Sequence, residues 1–360
     1  MDRRIFLKSA AAAAAASSLP WRNASAAAGW RTFEAVTRVE ILKPAGASRA
    51  WVPLPLVEPT DWFRTLDSQW SGNAAQARVA SDGRYGAAMV AAEWPAGVPA
   101  PVLEVTSRFM TRDRATDLSR PADPAIRLEA ENRAHYTLPT ALIPTDGIVR
   151  KTALEVTRGA RGDVEKARAI YEWVVENTFR DPKVRGCGWG DVKGMLESGN
   201  FGGKCGDLNA MFVGLARASG VPARDVYGVR VAPSKYGYKS LGAGTPDITK
   251  AQHCRAEFFA DGYGWIAVDP ADVRKVVLEE PPGHLALDDA KVVAARRRLF
   301  GSWEMNWLAY NRAHDVALPG SSGPVLPYLM YIYAETGGER RDPLDPGELR
   351  YSITAREVTA

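Results

Sequence analysis

The sequence predicts an α+β protein, and three observations lead to this fold class. Short strand-like segments separated by Pro and Gly fill the N-terminal third of the chain. Helical periodicity follows, most clearly where Leu208, Met211, Phe212 and Leu215 recur at steps of three and four residues. Two strand-like runs then flank the Asp-Gly-Tyr-Gly turn at residues 261–264 and predict a hairpin. Strands and helices in separate stretches of the chain are typical of this class.

Residues 1–26 predict a twin-arginine signal peptide. Arg3 and Arg4 precede Phe-Leu-Lys and a weakly apolar alanine run, and Ala-Ser-Ala at residues 24–26 fits a small-residue cleavage site. The segment is too short and too alanine-rich to span a bilayer well. We therefore expect export to the periplasm or the exterior, with no stable membrane insertion after removal of the signal. A disordered or helical N-terminal tail is the alternative interpretation.

Residues 27–118 are predicted to form a β-rich N-terminal domain. Strand-like runs occupy residues 33–42, 49–54 and 102–110, and residues 78–90 indicate a broken strand pair. These short strands favour a small sandwich or an open sheet. Four tryptophans are expected in the core or at its rim, although a sugar-binding platform is the alternative. They are Trp51, Trp62, Trp70 and Trp94.

Residues 119–275 are predicted to form the catalytic core. Helical patterns occupy residues 126–134, 149–157 and 164–177, and Asp163 is the expected N-cap of the last of these helices. This part of the chain contains the three candidate catalytic side chains.

Cys205 is the candidate nucleophile. It lies in the run Gly-Gly-Lys-Cys-Gly-Asp at residues 202–207, directly before the helical pattern that Gly220 ends. Unpaired N–H groups in the first turn of a helix lower the pKa of a thiol below its usual value of about 8.5 and can stabilise an oxyanion. The neighbouring glycines are expected to let a substrate approach the backbone closely. They are Gly202, Gly203 and Gly206.

His253 and Asp269 are the candidate partners of the thiol. His253 opens the first strand of the predicted hairpin, and Asp269 follows the second strand, directly before Pro270. A four-residue loop would place Asp269 opposite Ala256. A bulge or a longer loop would instead bring the imidazole and the carboxylate onto one face as diagonal neighbours. In that arrangement the imidazole moves protons and the carboxylate orients it.

The run from residue 161 to residue 272 resembles the transglutaminase-like superfamily of papain-type cysteine enzymes. The resemblance rests on the helix at residues 166–177, the Gly-Lys-Cys-Gly-Asp block, Gly-Val-Pro-Ala-Arg at residues 220–224, His253, and Val-Asp-Pro at residues 268–270. It implies that the cysteine helix packs on an antiparallel sheet. It also implies a nucleophile, a general base and acid, and an orienting carboxylate, which are Cys205, His253 and Asp269.

These observations together predict thiol-dependent acyl transfer or hydrolysis at an amide, in a peptide or protein substrate of the cell envelope. Hydrolysis of a peptide or isopeptide bond is favoured because dilute amines compete poorly with water, but cross-linking stays open. The expected enzyme is a cysteine protease, an amidase or an acyltransferase. The alternatives are a non-catalytic module of envelope assembly and a carbohydrate-binding protein.

Two further stretches have expected roles. Residues 233–250 lack periodicity and either border the cleft or form a plain surface loop, and Tyr236, Tyr238 and Lys239 are the candidate substrate contacts. The C-terminal extension, residues 276–360, is expected to add one helix and three strands to the core sheet or to the N-terminal domain. The helix is expected at residues 289–300 and the strands at residues 307–316, 328–334 and 350–358.

Composition argues against several other kinds of site. Lys and Arg number 46 against 42 Asp and Glu, and part of this small excess lies in the signal segment, so no nucleic-acid partner is expected. No metal-binding motif is present, so neither a metal nor a cofactor is expected. Cys187 and Cys254 are expected to be unpaired thiols, with a disulfide between them as the alternative. His314 has no suggestive partner and is expected to be structural.

Overall fold

The computed structural model describes residues 29–358, which contain nineteen strands and seven helices. The N-terminal signal prediction lies outside the described residues. The strands are β1 (Arg31–Ile41), β2 (Ser48–Pro53), β3 (Phe63–Gly72), β4 (Gln76–Ser81), β5 (Ala88–Trp94), β6 (Val102–Thr111), β7 (Arg114–Ala115), β8 (Phe179–Arg180), β9 (Gly202–Gly203), β10 (Ala223–Arg230), β11 (Gln252–Ala260), β12 (Gly264–Val268), β13 (Ser302–Trp303), β14 (Trp307–Asn311), β15 (His314–Val316), β16 (Leu326–Tyr328), β17 (Tyr333–Thr336), β18 (Glu339–Arg341) and β19 (Leu349–Glu357). The helices are α1 (Ala130–His135), α2 (Gly147–Val156), α3 (Gly162–Asn177), α4 (Val192–Ser198), α5 (Cys205–Ala218), α6 (Pro270–Glu279) and α7 (Ala290–Arg298).

The N-terminal strands form a sandwich with the help of the C-terminal end of the chain. One antiparallel sheet has the order β19-β1-β6-β3, and the other has the order β18-β17-β2-β5-β4. Phe33 and Phe109 of the first sheet and Val90 of the second belong to one buried cluster, so the two sheets share a core. The sequence left a sandwich and an open sheet as alternatives, and the structure has the sandwich.

Strand β3 was not predicted from the sequence. Its residues, Phe-Arg-Thr-Leu-Asp-Ser-Gln-Trp-Ser-Gly, show no regular apolar alternation, and most of them are exposed. Its pairing with β6 therefore depends on backbone hydrogen bonds more than on buried side chains. Of the four tryptophans, Trp51, Trp62 and Trp94 are buried as expected, whereas Trp70 on β3 is 36% exposed.

The middle part of the chain contains a helix packed on an antiparallel sheet, which confirms the predicted α+β class. The sheet has the order β12-β11-β10-β14, and α5 contacts β10 and β11 on one face. Every residue of α5 is buried, because helices α2, α3 and α6 cover the sides that the sheet leaves free. The other face of the sheet, which includes Val226 and Leu308, joins the core of the N-terminal sandwich.

Several predicted boundaries shift in the structure. Helix α1 is shorter than the predicted 126–134 segment. The expected N-cap of α3 was wrong, because the helix begins at Gly162 with Arg161 at the cap position and no side-chain cap. Asp163 lies inside the first turn, where its carboxylate is 3.6 Å from Arg133 Nη1. The Asp163 side chain therefore pairs with a neighbouring element instead of capping its own helix.

The C-terminal extension adds strands to the sheet that packs on α5 and to the N-terminal sandwich. The expected strand at residues 307–316 divides into β14 and β15 at residues 312–313, where the Ala313 amide donates to the Asn311 side chain instead of continuing the strand. The expected strand at residues 328–334 likewise divides into β16 and β17. Strand β19 lies almost where it was predicted and pairs with β1. Within residues 29–358, no helix is long and apolar enough to cross a membrane.

Candidate active site

Cys205 is the first residue of α5 and lies in a cleft of about 770 Å³. His253 lines the same cleft, as do residues of the loop at 233–250 and of the C-terminal extension. The thiol side chain is buried, with 3% of the residue exposed. A buried thiol that lines a cleft is a candidate nucleophile for chemistry on a segment that enters the cleft.

A neighbouring loop holds the beginning of α5. The Gly206 amide donates to the Cys187 carbonyl at 2.7 Å. The Asp207 carboxylate accepts from the Trp189, Gly190 and Lys204 amides at 2.9–3.0 Å. These bonds fix the first turn of the helix, and with it the position of the Cys205 side chain.

The glycines around Cys205 have a different role from the one expected. A Cβ at Gly206 would lie 2.6 Å from the Cys187 carbonyl oxygen, and a Cβ at Gly203 would lie 2.6 Å from Asp207 Cβ. At Gly202 a Cβ would meet the Phe179 ring at 2.5 Å. Protein atoms already fill these spaces, so the glycines allow close internal packing and are not openings for the substrate.

The expected oxyanion donors at the helix start are reduced to one amide. The Gly206 N–H is committed to Cys187, whereas the Asp207 and Leu208 amides donate to the Lys204 carbonyl. Among residues 29–358, no acceptor contacts the Cys205 amide. The Cys205 N–H is therefore the backbone donor that is free to bind an oxyanion beside the sulfur.

The β11–β12 hairpin brings His253 and Asp269 together. Ala256 pairs with Val268, and Ala260 pairs with Gly264, so the turn has three residues and not the expected four. The bulge or longer loop expected to bring His253 and Asp269 onto one face was also wrong, because the turn is shorter and the pairing is regular. Because the turn is one residue shorter, Asp269 lies at the level of Arg255 and not opposite Ala256. Residues two apart on a strand point to the same face, so Arg255 and His253 share one face of the sheet. The His253 Nε2 atom lies 2.8 Å from Asp269 Oδ2.

Asp269 is itself held in position. It is the N-cap of α6, and its Oδ1 atom accepts from the Asp272 amide at 3.0 Å. The Asn209 Nδ2 atom of α5 donates to the same oxygen at 3.4 Å and to the Cys254 carbonyl at 2.8 Å. The carboxylate therefore joins the cysteine helix, the histidine strand and α6.

Sequence reasoning missed a second layer of charge around the imidazole. Asp272 Oδ1 lies 3.4 Å from His253 Nε2 and 2.6 Å from Arg230 Nη2, and Arg255 Nε lies 3.7 Å from Asp269 Oδ2. The Asp-Pro-Ala-Asp sequence at residues 269–272 carries a signal for the second carboxylate, since residues three apart share a helix face. The sequence gives no comparable signal for Arg230 or Arg255, whose partners are distant in the chain.

The same carboxylates raise the question of a metal. Donor atoms of His253, Asp269 and Asp272 lie within 4.8 Å of one another. Arg230 is paired with Asp272, however, and the Arg255 guanidinium lies beside Asp269. These two positive charges oppose a bound cation, so the donor set fits an ion-pair network better than a metal site.

Electrostatics favour a charged thiol–imidazole pair. Burial and the Arg230 charge oppose protonation of the imidazole, but the Asp272 and Asp269 carboxylates outweigh them and raise the pKa of His253 to about 9. The neighbouring Cys187 and Cys254 thiols, together with His253, hold the pKa of Cys205 well below its usual value although burial opposes this. A thiolate beside an imidazolium is therefore the favoured state at neutral pH.

Comparisons with known proteins bear on the family to which the chain belongs. A sequence model of the transglutaminase-like superfamily matches residues 150–270. A protein of Haemophilus influenzae, described as uncharacterized, is 33% identical over 345 residues, which cover 91% of this chain and 91% of the relative. The chain belongs to the transglutaminase-like superfamily. The predicted family is thereby confirmed.

Two solved structures are similar to this superfamily member to different degrees. The crystal structure of a "putative cysteine protease" from Cytophaga hutchinsonii covers 91% of this chain and 98% of its own, with a TM-score of 0.51 and 14% identity. The periplasmic domain of TgpA from Pseudomonas aeruginosa covers 70% of this chain and 90% of its own, with a TM-score of 0.35 and 14% identity. The first likeness supports the transglutaminase-like fold.

The other two cysteines and His314 of this superfamily member have defined surroundings in the described part of the chain. Cys187, Cys205 and Cys254 are all buried free thiols, so the expected unpaired state is found and the alternative disulfide is not. His314 is buried, with Nε2 3.3 Å from Asp225 Oδ2. This second Asp–His pair is not among the residues that line the cleft, in keeping with the structural role expected for His314.

The loop at residues 233–250 borders the cleft, as the first of the two interpretations expected. Lys239, Ser240 and Lys250 line it. Tyr236 is exposed and is absent from the lining, and the Tyr238 hydroxyl donates to the Lys291 carbonyl at 2.9 Å. Of the three candidate substrate contacts, only Lys239 therefore faces the cleft.

Proposed function

We propose that this protein is a cysteine enzyme that cleaves or transfers the acyl group of an amide, with Cys205, His253 and Asp269 as its catalytic triad. The observation that carries the proposal is the 2.8 Å contact between His253 and Asp269 beside the nucleophile helix. The lowered pKa of Cys205 and the raised pKa of His253 support the same assignment. Membership of the transglutaminase-like superfamily agrees with thiol chemistry at an amide.

Each group has a defined step in the proposed reaction. The Cys205 thiolate attacks the amide carbonyl, and the Cys205 N–H donates to the oxyanion that forms. The His253 imidazolium then protonates the leaving amine, and an acyl-thioester remains on the sulfur. His253, now neutral, takes a proton from the incoming acceptor. Asp269 keeps the imidazole ring oriented through Nε2 during both proton transfers.

Hydrolysis of a peptide or isopeptide bond is the favoured outcome. In this reaction water takes the place of the leaving amine and releases a carboxylic acid. An amine acceptor would give cross-linking by the same thioester. Product analysis with and without an added primary amine distinguishes the two outcomes, because transfer yields a new amide and hydrolysis does not.

The proposed location is the cell envelope. The twin arginines at Arg3 and Arg4, the alanine run and the Ala-Ser-Ala sequence support export by the twin-arginine route. Replacing both arginines with lysine is expected to retain the protein in the cytoplasm. Unchanged export of that variant, measured by cell fractionation, would contradict the proposed route.

An electrophilic acyl probe tests the chemistry. The wild-type protein is expected to form an acyl-thioester with an activated acyl reagent at a single site, and the Cys205→Ala variant is expected to form none. The His253→Gln variant should react slowly, whereas His314→Gln changes the other buried Asp-paired histidine and serves as its matched control. Equal thioester formation in wild type and Cys205→Ala, measured by intact mass, would refute the mechanism. It would also favour a non-catalytic envelope module.

A further inference from the structure

The wall of the cleft is far more basic than the rest of the chain. Eight of its lining residues are Lys or Arg, and one, Glu279, is acidic. The whole chain is nearly balanced, with 46 basic and 42 acidic residues. The charge of the cleft therefore does not follow from composition and is a local property of the site.

Three of these positive charges form no ion pair at contact distance with a carboxylate of residues 29–358, although Lys250 acts electrostatically on the exposed Asp247. Lys204, Lys239 and Lys250 line the cleft, and none of the ion pairs among residues 29–358 includes them. Lys239 and Lys250 are exposed, so their ammonium groups are accessible to a ligand. Unpaired lysines at the wall of a cleft attract negative charge from the solvent.

A further net positive charge comes from two basic residues of the cleft that share one carboxylate. Arg180 and Lys275 both contact Glu279, so two cations share one carboxylate. Lys275 is largely withdrawn from solvent, and burial lowers its pKa. This arrangement favours a second carboxylate, which a ligand can supply.

Other acidic groups near the cleft are already engaged. Glu280 accepts from the Ser240 amide at 3.0 Å and from the Ser240 hydroxyl at 2.8 Å. Asp272 is paired with Arg230, and Asp342 is paired with Arg185 at 2.5 Å. These carboxylates do not cancel the charge of the three lysines.

The basic groups come from several parts of the fold around the sulfur. Lys204 directly precedes Cys205, and Lys250 precedes β11, which carries His253. Lys239 lies in the loop between β10 and β11, and Arg180 lies on β8. An anionic segment that enters the cleft therefore meets positive charge on more than one side of the nucleophile.

We propose that the substrate is an acidic peptide, with carboxylates within a few residues of the amide that Cys205 attacks. This inference rests on the proposed function. A peptide is favoured over a nucleic acid because apolar side chains, including Tyr331, Leu344 and Leu349, share the lining with the lysines. A volume of about 770 Å³ is in the size range of clefts that take short segments and not folded domains.

Alkylation with two reagents of similar size measures the charge at the sulfur without requiring turnover. Iodoacetate is anionic and iodoacetamide is neutral, so the ratio of their rates at Cys205 reports the local potential. The triple variant Lys204→Gln, Lys239→Gln, Lys250→Gln is compared with Lys151→Gln, Arg158→Gln, Lys193→Gln. The second triple changes the net charge equally, at exposed positions outside the cleft.

We expect the iodoacetate-to-iodoacetamide ratio to fall by about fivefold or more in the cleft variant at low salt, and to stay near the wild-type value in the surface variant. Added salt should reduce the wild-type ratio. An unchanged ratio in the cleft variant would overturn the proposal. Slow alkylation of Cys205 by both reagents would instead count against the proposed function. The absolute rates report the reactivity of the thiol, whereas the ratio of the rates reports its preference for an anionic reagent over a neutral one.

Peptide binding to the Cys205→Ala protein provides the second arm. An alternating Glu/Ala peptide should bind about fivefold or more tightly than its Gln/Ala counterpart at low salt, and the cleft triple variant should lose this preference. Equal binding of the two peptides would contradict the proposal. Tighter binding of an oligonucleotide of equal charge than of the Glu/Ala peptide would also contradict it.

Discussion

Asp269 contacts His253 through one carboxylate oxygen while its other oxygen caps helix α6. The Oδ2 atom lies 2.8 Å from His253 Nε2, and Oδ1 accepts from the Asp272 amide at 3.0 Å. Because the same side chain orients the imidazole and begins a helix, the ring has little freedom to rotate. The position of the candidate general base is therefore built into the fold.

Replacing Asp269 with Asn should reduce kcat/KM by about 10²–10⁴-fold, because the imidazole loses its orienting charge. The pKa of His253 should also fall, since one of the two carboxylates that raise it is removed. The upper limb of the pH–rate profile should move to lower pH, which simple loss of folded protein would not cause. Asp225→Asn alters the second buried Asp–His pair and is the matched control, expected to retain activity.

Activity should have a broad pH optimum with an upper limit near pH 9. The thiolate forms as pH rises through the lowered pKa of Cys205, and the imidazolium is lost as pH rises through the His253 pKa of about 9. The reactive pair is therefore present between these two values. Measured kcat/KM should decline above pH 9, while iodoacetamide alkylation should not. A decline of kcat/KM that begins near the ordinary histidine pKa of about 6.5 would contradict the account.

Replacing Arg230 with Met should destabilise the protein by about 3–5 kcal/mol, because Asp272 would keep a buried charge without its partner. Arg230 Nη2 lies 2.6 Å from Asp272 Oδ1, and Arg230 Nη1 donates to the Leu241 carbonyl at 2.7 Å. Urea unfolding measures the loss. The control is Lys193→Met, which removes an exposed pair with Glu197 at 3.8 Å and should change stability by less than about 1 kcal/mol. Equal losses in the free energy of unfolding for the two variants would show that the buried Arg230–Asp272 pair stabilises the fold no more than an exposed pair does.

Replacing Gly206 with Ala should disturb the site more than the overall fold. The new Cβ would meet the Cys187 carbonyl oxygen at 2.6 Å, so the loop that holds the beginning of α5 must move. We expect kcat/KM to fall by about tenfold or more, since small displacements of reacting groups are costly. Gly244→Ala is the control, because nothing lies within 4 Å of its added Cβ. A Gly206→Ala enzyme with wild-type activity would show that this contact does not position the nucleophile.

The sequence predicted those parts of the protein that local patterns encode. Cys205 was placed at the beginning of a helix because apolar periodicity starts directly after it, and the hairpin was recognised from its turn residues. The register of that hairpin was not predicted, because a turn shorter by one residue changes which side chains face each other. Strand β3 was missed since its exposed residues lack apolar alternation. Arg230 and its role beside Asp272 depend on a contact 42 positions apart, which no local pattern shows.

The most direct test of the account is the titration of Cys205 in the wild-type, His253→Gln and Cys205→Ala proteins, followed by the ultraviolet absorbance of the thiolate. We expect a thiolate that is absent from Cys205→Ala and that forms in the wild type well below the ordinary thiol pKa of about 8.5. In His253→Gln its formation should shift to higher pH. A Cys205 thiol that titrates near its ordinary pKa, and does so equally with and without His253, would contradict the central claim.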